Sequence, residues 1–225
     1  MKKLLIFFFA LALSCSGFAQ STSNIALTNS DLFVSDYPTG IYKTKEDFQK
    51  KLPSDTTQVI PKNLPGKKKD SLILNQNTFF YTLATDKKVK NVFAISYRGY
   101  IFFNVQSILL NRNKTDRSQT NSNPNAFVGV MYSGNNYLYT EANLANAWAQ
   151  GFAYGMGGGV GGAVAQTMVN SKGILWDFKN NEFNIFKNCK DYNDFIKDKY
   201  PAGVQECKNN YPDMLKVRND IRNIL

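Results

Sequence analysis

The sequence contains no histidine, so any acid–base chemistry in this chain must rest on carboxylates, tyrosine or lysine. Catalysis of the Ser-His-Asp or Cys-His type is therefore excluded within the chain. Three acidic residues fall near the ends of predicted strands: Glu141, Asp177 and Glu182. Two of them facing a cleft could act as an acid/base pair on a glycosidic bond. Acidic residues are common at strand ends and turns, so a carboxylate-based hydrolase stays an alternative and no catalytic residue is predicted.

Two cysteines outside the N-terminal segment, Cys189 and Cys207, are eighteen positions apart. In an oxidising compartment they are plausible disulfide partners, and closing that loop would stabilise the fold by about 3 kcal/mol. The absence of a C-x-x-C spacing argues against a redox role. We interpret the pair as a structural disulfide, with two buried free thiols as the alternative. Two cysteines without histidine make a poor zinc site, so no metal is predicted.

The segment 142–171 contains no charged residue and has a four-residue periodicity. Small residues form one row: Ala147, Gly151, Gly155, Gly159, Ala163 and Thr167. Bulky apolar residues form the neighbouring row: Trp148, Phe152, Met156, Val160, Val164 and Met168. On a helix these rows would make a flat groove beside an apolar ridge, a pattern typical of closely packed membrane helices. The members of both rows from Trp148 to Ala163 are the predicted packing or membrane contacts.

The glycines of this segment oppose a free helix. Seven of them lie between positions 151 and 162, and each costs about 1 kcal/mol relative to alanine. Polar residues also dilute the segment as a transmembrane candidate: Asn143, Asn146, Gln150 and Gln166. Three interpretations stay open, namely an excursion packed on the domain, a contact with a membrane or another copy, and disorder.

The same glycines formally match a dinucleotide-binding pattern at Gly157, Gly159 and Gly162. That mechanism requires a strand before the first glycine, so that a helix N-terminus meets the pyrophosphate. The preceding residues, 143–154, predict helix or loop instead. The Gly-Lys-Ser/Thr sequence of a P-loop is absent. We therefore predict no nucleotide and no other cofactor.

The N-terminal residues follow the plan of a secretory signal. Two lysines precede an apolar run, 4–13, which is too short to span a bilayer permanently. Small residues at Gly17 and Ala19 fit the signal peptidase pattern, so we expect residues 1–19 to be removed. A rival cut before Cys15 would give a lipidated N-terminus. The expected location is the periplasm, the cell envelope or the exterior.

The formal net charge is +10, with lysines scattered along the chain. This pattern favours a solvated surface, since neither a basic helical stripe nor a basic patch with interleaved aromatics is visible. We therefore expect no nucleic-acid partner. Attraction to anionic envelope polymers or lipid headgroups is the alternative.

The pattern of elements predicts an α+β fold. Thr44 and Asp47 form a candidate capping box for a short helix over 45–52. Runs rich in aromatic and β-branched residues predict strands at 78–84, 89–97, 100–105, 127–132, 137–140, 174–178 and 182–186. Helices are predicted at 190–199 and 212–223. The sum is an antiparallel sheet of hairpins with a short N-terminal helix, a glycine-rich helical excursion and C-terminal helices.

The domain organisation follows from these elements. Residues 20–35 are rich in Ser, Thr and Asn and predict a flexible tether. Residues 36–225 predict a single α+β domain. Within it, 111–125 are mostly polar and predict a long exposed loop.

The opening of the domain, Gly40-Ile41-Tyr42-Lys43-Thr44-Lys45-Glu46-Asp47-Phe48 closed by Pro53, resembles small exported proteins of Bacteroidota assigned to domains of unknown function. Such proteins continue with β hairpins, often a glycine-rich stretch, and a helical tail. The resemblance implies an envelope-facing protein and implies no activity. The expectation is a non-catalytic exported envelope protein that self-associates or contacts a membrane through 142–171. Besides the hydrolase, the alternative is a soluble periplasmic binding domain whose aromatic strands supply a ligand surface.

Overall fold

The structure, a computed structural model, describes residues 33–62, 78–116, 119–121, 123–146 and 170–225. Within these residues the fold is α+β, as predicted, and consists of a large antiparallel sheet, a separate two-stranded sheet and helices. The predicted signal peptide and most of the predicted tether lie outside the described residues. So do the predicted contacts of the glycine-rich segment, from Trp148 to Ala163.

The strands are numbered in chain order: β1 Gly40–Tyr42, β2 Val59–Lys62, β3 Phe79–Thr82, β4 Ala94–Tyr97, β5 Tyr100–Asn104, β6 Gln119–Thr120, β7 Phe127–Ser133, β8 Tyr137–Asn146, β9 Asn170–Asp177 and β10 Glu182–Ile185. The large sheet has the order β1-β4-β5-β7-β8-β9-β10, with antiparallel neighbours throughout. The short strand β6 also pairs with β8, while β2 and β3 form the second sheet. The predicted hairpins β4–β5, β7–β8 and β9–β10 are therefore neighbours in one sheet.

Within the described residues, four α-helices flank the sheet: α1 Lys45–Gln49, α2 Val105–Leu110, α3 Cys189–Ile196 and α4 Met214–Ile224. The predicted capping box is present, because Thr44 Oγ1 accepts from Asp47 N at 3.1 Å and Asp47 Oδ2 accepts from Thr44 N at 3.0 Å. Helix α1 ends before the predicted residue 52. Among the described residues, no helix combines the length and the apolar character needed to cross a membrane.

The core divides between the two faces of the sheet. One face carries a cluster of large rings with a centroid separation of 4.8 Å between Trp176 and Phe183 and of 5.3 Å between Phe48 and Phe103. The opposite face is covered in two places. The β2–β3 sheet packs Phe80 on β4 and β5, and the C-terminal helices pack on β7, β8 and β9. Helix α1 therefore docks through its buried Phe48, while α3 and α4 close the other side.

The predicted disulfide partners lie at bonding distance, with the Cα atoms of Cys189 and Cys207 6.0 Å apart. Cys189 is the first residue of α3, and Asn188 caps that helix by accepting from Asp191 N at 2.9 Å. The bridge ties the start of α3 to the chain that leads into α4. It thus fixes the helical tail beneath the sheet.

The prediction of a long exposed loop over 111–125 was wrong at two points. A 3-10 turn, Lys114–Asp116, and strand β6 lie within it, and Asp116 and Gln119 are buried. The physical reason is that these polar side chains find partners inside the fold. Asp116 Oδ2 accepts from Ile185 N at 3.1 Å, and Gln119 Oε1 accepts from Lys172 Nζ at 2.5 Å.

The edges of the glycine-rich segment are strands, so the prediction of helix or loop from residue 143 was wrong. Strand β8 continues to Asn146 and β9 begins at Asn170, with Leu144 paired to Asn170. Leu144 fits either periodicity, but its neighbours alternate across the sheet and are held by β9 and β6. Tertiary pairing therefore overrides the local pattern. Residues 147–169 join the paired ends of two neighbouring strands.

Candidate functional site

The candidate site is the base of the glycine-rich segment, where β8 and β9 end. Because side chains alternate along a strand, successive residue pairs of the β8–β9 ladder project to opposite faces of the sheet. One face carries a polar group that we name the Glu141 cluster: Tyr139, Glu141, Ser171 and Arg218. The other face carries the Lys172 cluster: Asp116, Gln119, Lys172, Lys187 and Asp191. The strand ends that flank residues 147–169 thus lie between two polar groups.

The Glu141 cluster is a buried bidentate ion pair. The Glu141 carboxylate, 1% exposed, accepts from Arg218 Nε and from Arg218 Nη2, each at 2.7 Å. The Tyr139 hydroxyl donates to the same carboxylate at 2.9 Å. The hydrogen bonds that Arg218 donates to Glu141 raise the pKa of Arg218, and burial raises the pKa of the Tyr139 hydroxyl. This geometry holds α4 against β8, because charge-assisted bidentate bonds fix both distance and angle.

Gly173 makes room for this cluster. It lies opposite Glu141 in the β8–β9 ladder. A Cβ there would come within 2.7 Å of Phe186 Cδ2 and 3.0 Å of the Tyr139 hydroxyl. The absence of a side chain therefore lets Tyr139 reach the carboxylate under β9.

The three carboxylates singled out from the sequence do not converge. Asp177 and Glu182 are cross-strand partners. Glu141, however, lies opposite Gly173, which is four residues from Asp177 along β9. At 3.3 Å per residue this separation is roughly 13 Å. Asp177 Oδ1 accepts from Lys179 N at 2.8 Å and from Asn180 N at 3.0 Å, so it caps the β9–β10 turn. Glu182 accepts from Asn113 Nδ2 at 2.6 Å. Each carboxylate is thus occupied by a structural bond.

The Lys172 cluster buries an ammonium group beside a neutral amide. Lys172 is 5% exposed and Gln119 4% exposed, and their hydrogen bond is 2.5 Å long. Burial is the main cause that lowers the pKa of Lys172 to about 8, and the positive charge of Lys187 adds a smaller decrease than burial does. The negative charges of Asp191 and Asp116 oppose this shift. A buried lysine with such a pKa is partly neutral at mildly alkaline pH and is a nucleophile in that form.

The acidic members of the Lys172 cluster are held by Lys187. Its Nζ lies 3.1 Å from Asp116 Oδ1 and 3.4 Å from Asp191 Oδ2, and it donates to Thr115 O at 2.9 Å. Burial raises the pKa of Asp116, while the hydrogen bond from Ile185 N and the ion pair with Lys187 oppose that shift. The cluster is therefore a closed set of two cations and two anions around one amide.

Sequence reasoning missed this cluster, although one signal was present. Lys172, Ile174 and Trp176 are spaced by two, so a strand that buries the last two also buries the lysine. The uncharged segment instead ends at residue 171, and the next predicted strand begins at residue 174, so Lys172 lies outside both. Asp116 and Gln119 were placed in the predicted exposed loop, which concealed their partners.

Two open clefts lie elsewhere in the described part of the chain. The larger, about 430 Å³, lies between the start of α1 and α2 and is lined by Lys43, Glu46, Gln106 and neighbours. The second, about 340 Å³, we name the aromatic cleft. Its principal lining residues are Phe33, Asp36, Tyr37, Gln49, Asn135 and Phe178. Within the described residues, no group of three His, Cys, Asp or Glu side chains is placed to hold a metal ion.

No protein-family model, curated protein or solved structure matches this chain. The function is therefore inferred from the geometry of these residues and from the composition of the segment they anchor.

Proposed function

We propose that the chain is a non-catalytic exported envelope protein that presents residues 147–169 as a packing segment, toward a second copy or a membrane. The folded domain serves as the scaffold, and the segment makes the contact with the second copy or the membrane. The base of the segment, held on both faces by the Glu141 and Lys172 clusters, sets its position on the domain.

The observation that carries this proposal is the pairing of Leu144 with Asn170 at the ends of β8 and β9. Since the strands are antiparallel neighbours, both ends of the segment meet at one place on the sheet. The eight residue pairs described for the β8–β9 ladder are formed by residues outside 147–169. The sheet can therefore close around a short turn, and twenty-three additional residues need a different explanation.

The composition of the segment supports a packing role. Residues 147–169 include seven glycines and no charge, so nothing in them demands water in the way an ionised group does. Small residues at every fourth position allow close approach of backbones, and the adjoining apolar row supplies area to bury.

Export is part of the proposal and is supported by the cysteine pair. Disulfides persist in oxidising compartments and are rare in reducing ones. Cys189 and Cys207 lie at bonding distance at a place where a bridge pins the helical tail. The n-region, apolar run and small residues of positions 1–19 agree with that location.

Fractionation of the native host tests this function. The protein is followed through salt and carbonate washes, and its intact mass and oligomer size are measured. The proposal expects retention with membranes after carbonate, or a defined oligomer in the soluble fraction. A lipid mass on Cys15 would assign retention to the N-terminus instead of the segment.

Gly155→Leu provides the matched variant, because it fills the small-residue row. We expect this change to weaken membrane retention or oligomer formation. Gly161→Leu is the control, since it places the same side chain in the same segment but outside that row. A monomer released equally from wild type and both variants contradicts the packing role.

The aromatic cleft supports a second candidate, the soluble binding domain. Phe33 and Phe178 offer half-buried rings, while Asp36, Gln49 and Asn135 add polar groups at the same opening. Apolar walls with a few polar groups are typical of small-ligand sites. An oligosaccharide, with apolar ring faces and hydroxyl edges, fits that mixture.

Titration calorimetry with envelope oligosaccharides tests the second candidate. Phe178→Ala is expected to weaken binding, whereas Leu83→Ala, which removes an exposed apolar side chain outside the cleft lining, serves as the control. Equal heats for wild type and both variants would eliminate the aromatic cleft as the site.

A further inference from the structure

Lys172 and Gln119 meet in a setting that favours amide exchange between them. Lys172 Nζ lies 2.5 Å from Gln119 Oε1. Since a C=O bond is about 1.2 Å long, Nζ is at most about 3.7 Å from the amide carbon. Both side chains are at least nine-tenths buried, so bulk water competes poorly with the amine for that carbon. Reacting atoms held this closely gain a large effective concentration.

The charged groups around Lys172 suit the reaction. Among them Asp191 attracts the lysine most strongly, followed in influence by Lys187 and Asp116. Asp191 Oδ2 is buried, accepts no hydrogen bond within the described residues, and lies 3.4 Å from Lys187 Nζ. Asp191 Oδ2 can therefore accept a proton or a hydrogen bond within the Lys172 cluster. Asp116 already accepts from Ile185 N and pairs with Lys187.

We propose that Lys172 and Gln119 form an intramolecular isopeptide bond, a covalent cross-link between β9 and β6. The neutral Lys172 amine attacks the Gln119 amide carbon, and a bond forms between Nζ and Cδ. The bond between Cδ and Nε2 breaks. One proton passes from Nζ through the Asp191 carboxylate to Nε2, which leaves as ammonia. No oxidant, reductant or other co-reactant is consumed.

The cross-link would lock the base of the glycine-rich segment. Strands β6 and β9 each pair with β8, so the bond joins the two strands on the face that carries the Lys172 cluster. It joins strands that otherwise hold β8 only through hydrogen bonds. This inference does not rest on the proposed packing role, since it concerns a bond within the domain.

Peptide mapping of the reduced native protein tests the proposal. The sequence has no lysine or arginine between positions 118 and 172, so trypsin combined with a glutamate-specific protease separates the two residues at Glu141. Without the cross-link, linear peptides 118–141 and 142–172 appear. With it, 118–141 is joined to 142–179, lighter by one ammonia, because an acylated lysine resists trypsin. Linear peptides alone would overturn the proposal.

Lys172→Arg supplies the matched control, because it keeps the charge and the trypsin site but cannot form the bond. Its digest is expected to contain only the linear peptides. Intact mass alone is a weaker readout, since an N-terminal glutamine also loses ammonia on cyclising. Asp191→Asn is expected to slow formation of the branched peptide in freshly refolded protein. An unchanged rate in that variant would show that Asp191 does not carry the proton. The peptide map would still decide whether the bond forms.

The pH dependence of cross-linking gives a second test in freshly refolded protein. The pKa of Lys172 is lowered to about 8 by burial, with Gln119, Asp116, Lys187 and Asp191 as the groups that face it. The neutral fraction rises as pH increases toward that value. Between pH 6 and pH 8 the rate is therefore expected to rise on the order of fifty-fold. A rate that falls with rising pH contradicts attack by the neutral amine.

Discussion

At the scale of single residues, the buried pair of Glu141 and Arg218 governs how the C-terminal helix meets the sheet. Two hydrogen bonds of 2.7 Å orient the guanidinium, and a third from Tyr139 completes the carboxylate's set. A buried ion pair often gives little net stability relative to apolar replacements, but loss of one partner leaves a buried charge without its counter-ion. The pair therefore acts mainly through the direction it imposes on α4.

Arg218→Ala is expected to lower the free energy of unfolding by about 3 kcal/mol, because Glu141 then stays buried without its counter-ion. Urea denaturation measures the change. The double variant Glu141→Gln, Arg218→Met should recover most of the loss. Lys190→Ala, which breaks an exposed ion pair with Asp194, should cause no measurable change. Equal losses from Arg218→Ala and Lys190→Ala would contradict the buried-pair account.

Buried tyrosines give the fold a specific weakness to alkali. Burial, assisted by the nearby Asp36 charge, raises the pKa of Tyr42 to about 12 from its ordinary 10.0. The stability this contributes is complete below pH 10 and is lost as pH rises through 12, at up to about 1.4 kcal/mol per pH unit. Tyr42→Phe should make the decline shallower between those values. Tyr211→Phe, at a half-exposed site, should leave it unchanged, and identical slopes for all three proteins would contradict the assignment.

At the scale of elements, the helical tail is held by one covalent and several polar ties. The Cys189–Cys207 bridge closes the loop that follows the start of α3. Gln205 then bonds Asn193 of α3 at 3.0 Å and Asp213, the cap of α4, at 2.8 Å. These ties let two short helices present their apolar sides to β7, β8 and β9.

Replacing both cysteines by alanine is expected to lower the free energy of unfolding by about 3 kcal/mol, since the eighteen-residue separation restricts the unfolded chain. Denaturation with and without reductant measures it. Reductant should destabilise the wild type by a similar amount and leave the double variant unaffected. A wild type indifferent to reductant would show that the bridge does not support the tail.

The elements that sequence reasoning predicted well are those with local signals. Thr44 and Asp47 define the start of α1 through a capping box, and the polar turn before Glu182 defines the β9–β10 hairpin. Helix α2 was missed, because Val105 continues a strand-like run and the cap supplied by Asn104 is itself a strand residue. Local patterns indicate where a segment begins more readily than which segment it pairs with.

The candidate site was the part that sequence reasoning could predict least. Glu141 was noted as an acid near a strand end, but its partner Arg218 lies seventy-seven positions away. Gln119 and Lys172 are likewise fifty-three positions apart. No spacing rule connects such residues, because the sheet order and not the chain brings them together. Only the two-residue alternation through Lys172 pointed to burial.

At the scale of the whole molecule, we propose that the domain serves as a scaffold for a segment inserted into the β8–β9 hairpin. The sheet packs large rings, α1 and α2 on one face, and the β2–β3 sheet, α3 and α4 on the other. Strands β8 and β9 carry its longest ladder among the described strands. The segment 147–169 interrupts that hairpin where both faces are fixed by buried polar clusters. We propose that the well-packed domain and the uncharged, glycine-rich segment have separate roles, one in stability and the other in association.

Replacement of residues 147–169 by a two-residue Asn-Gly linker between Asn146 and Asn170 tests this separation of roles. Loop length affects folding free energy only slowly, so we expect the free energy of unfolding to stay within about 1 kcal/mol of wild type. Membrane retention or oligomer formation should be lost in the same protein. A variant that unfolds would show that the segment belongs to the core, and a stable variant that keeps its association unchanged would show that the contact lies elsewhere.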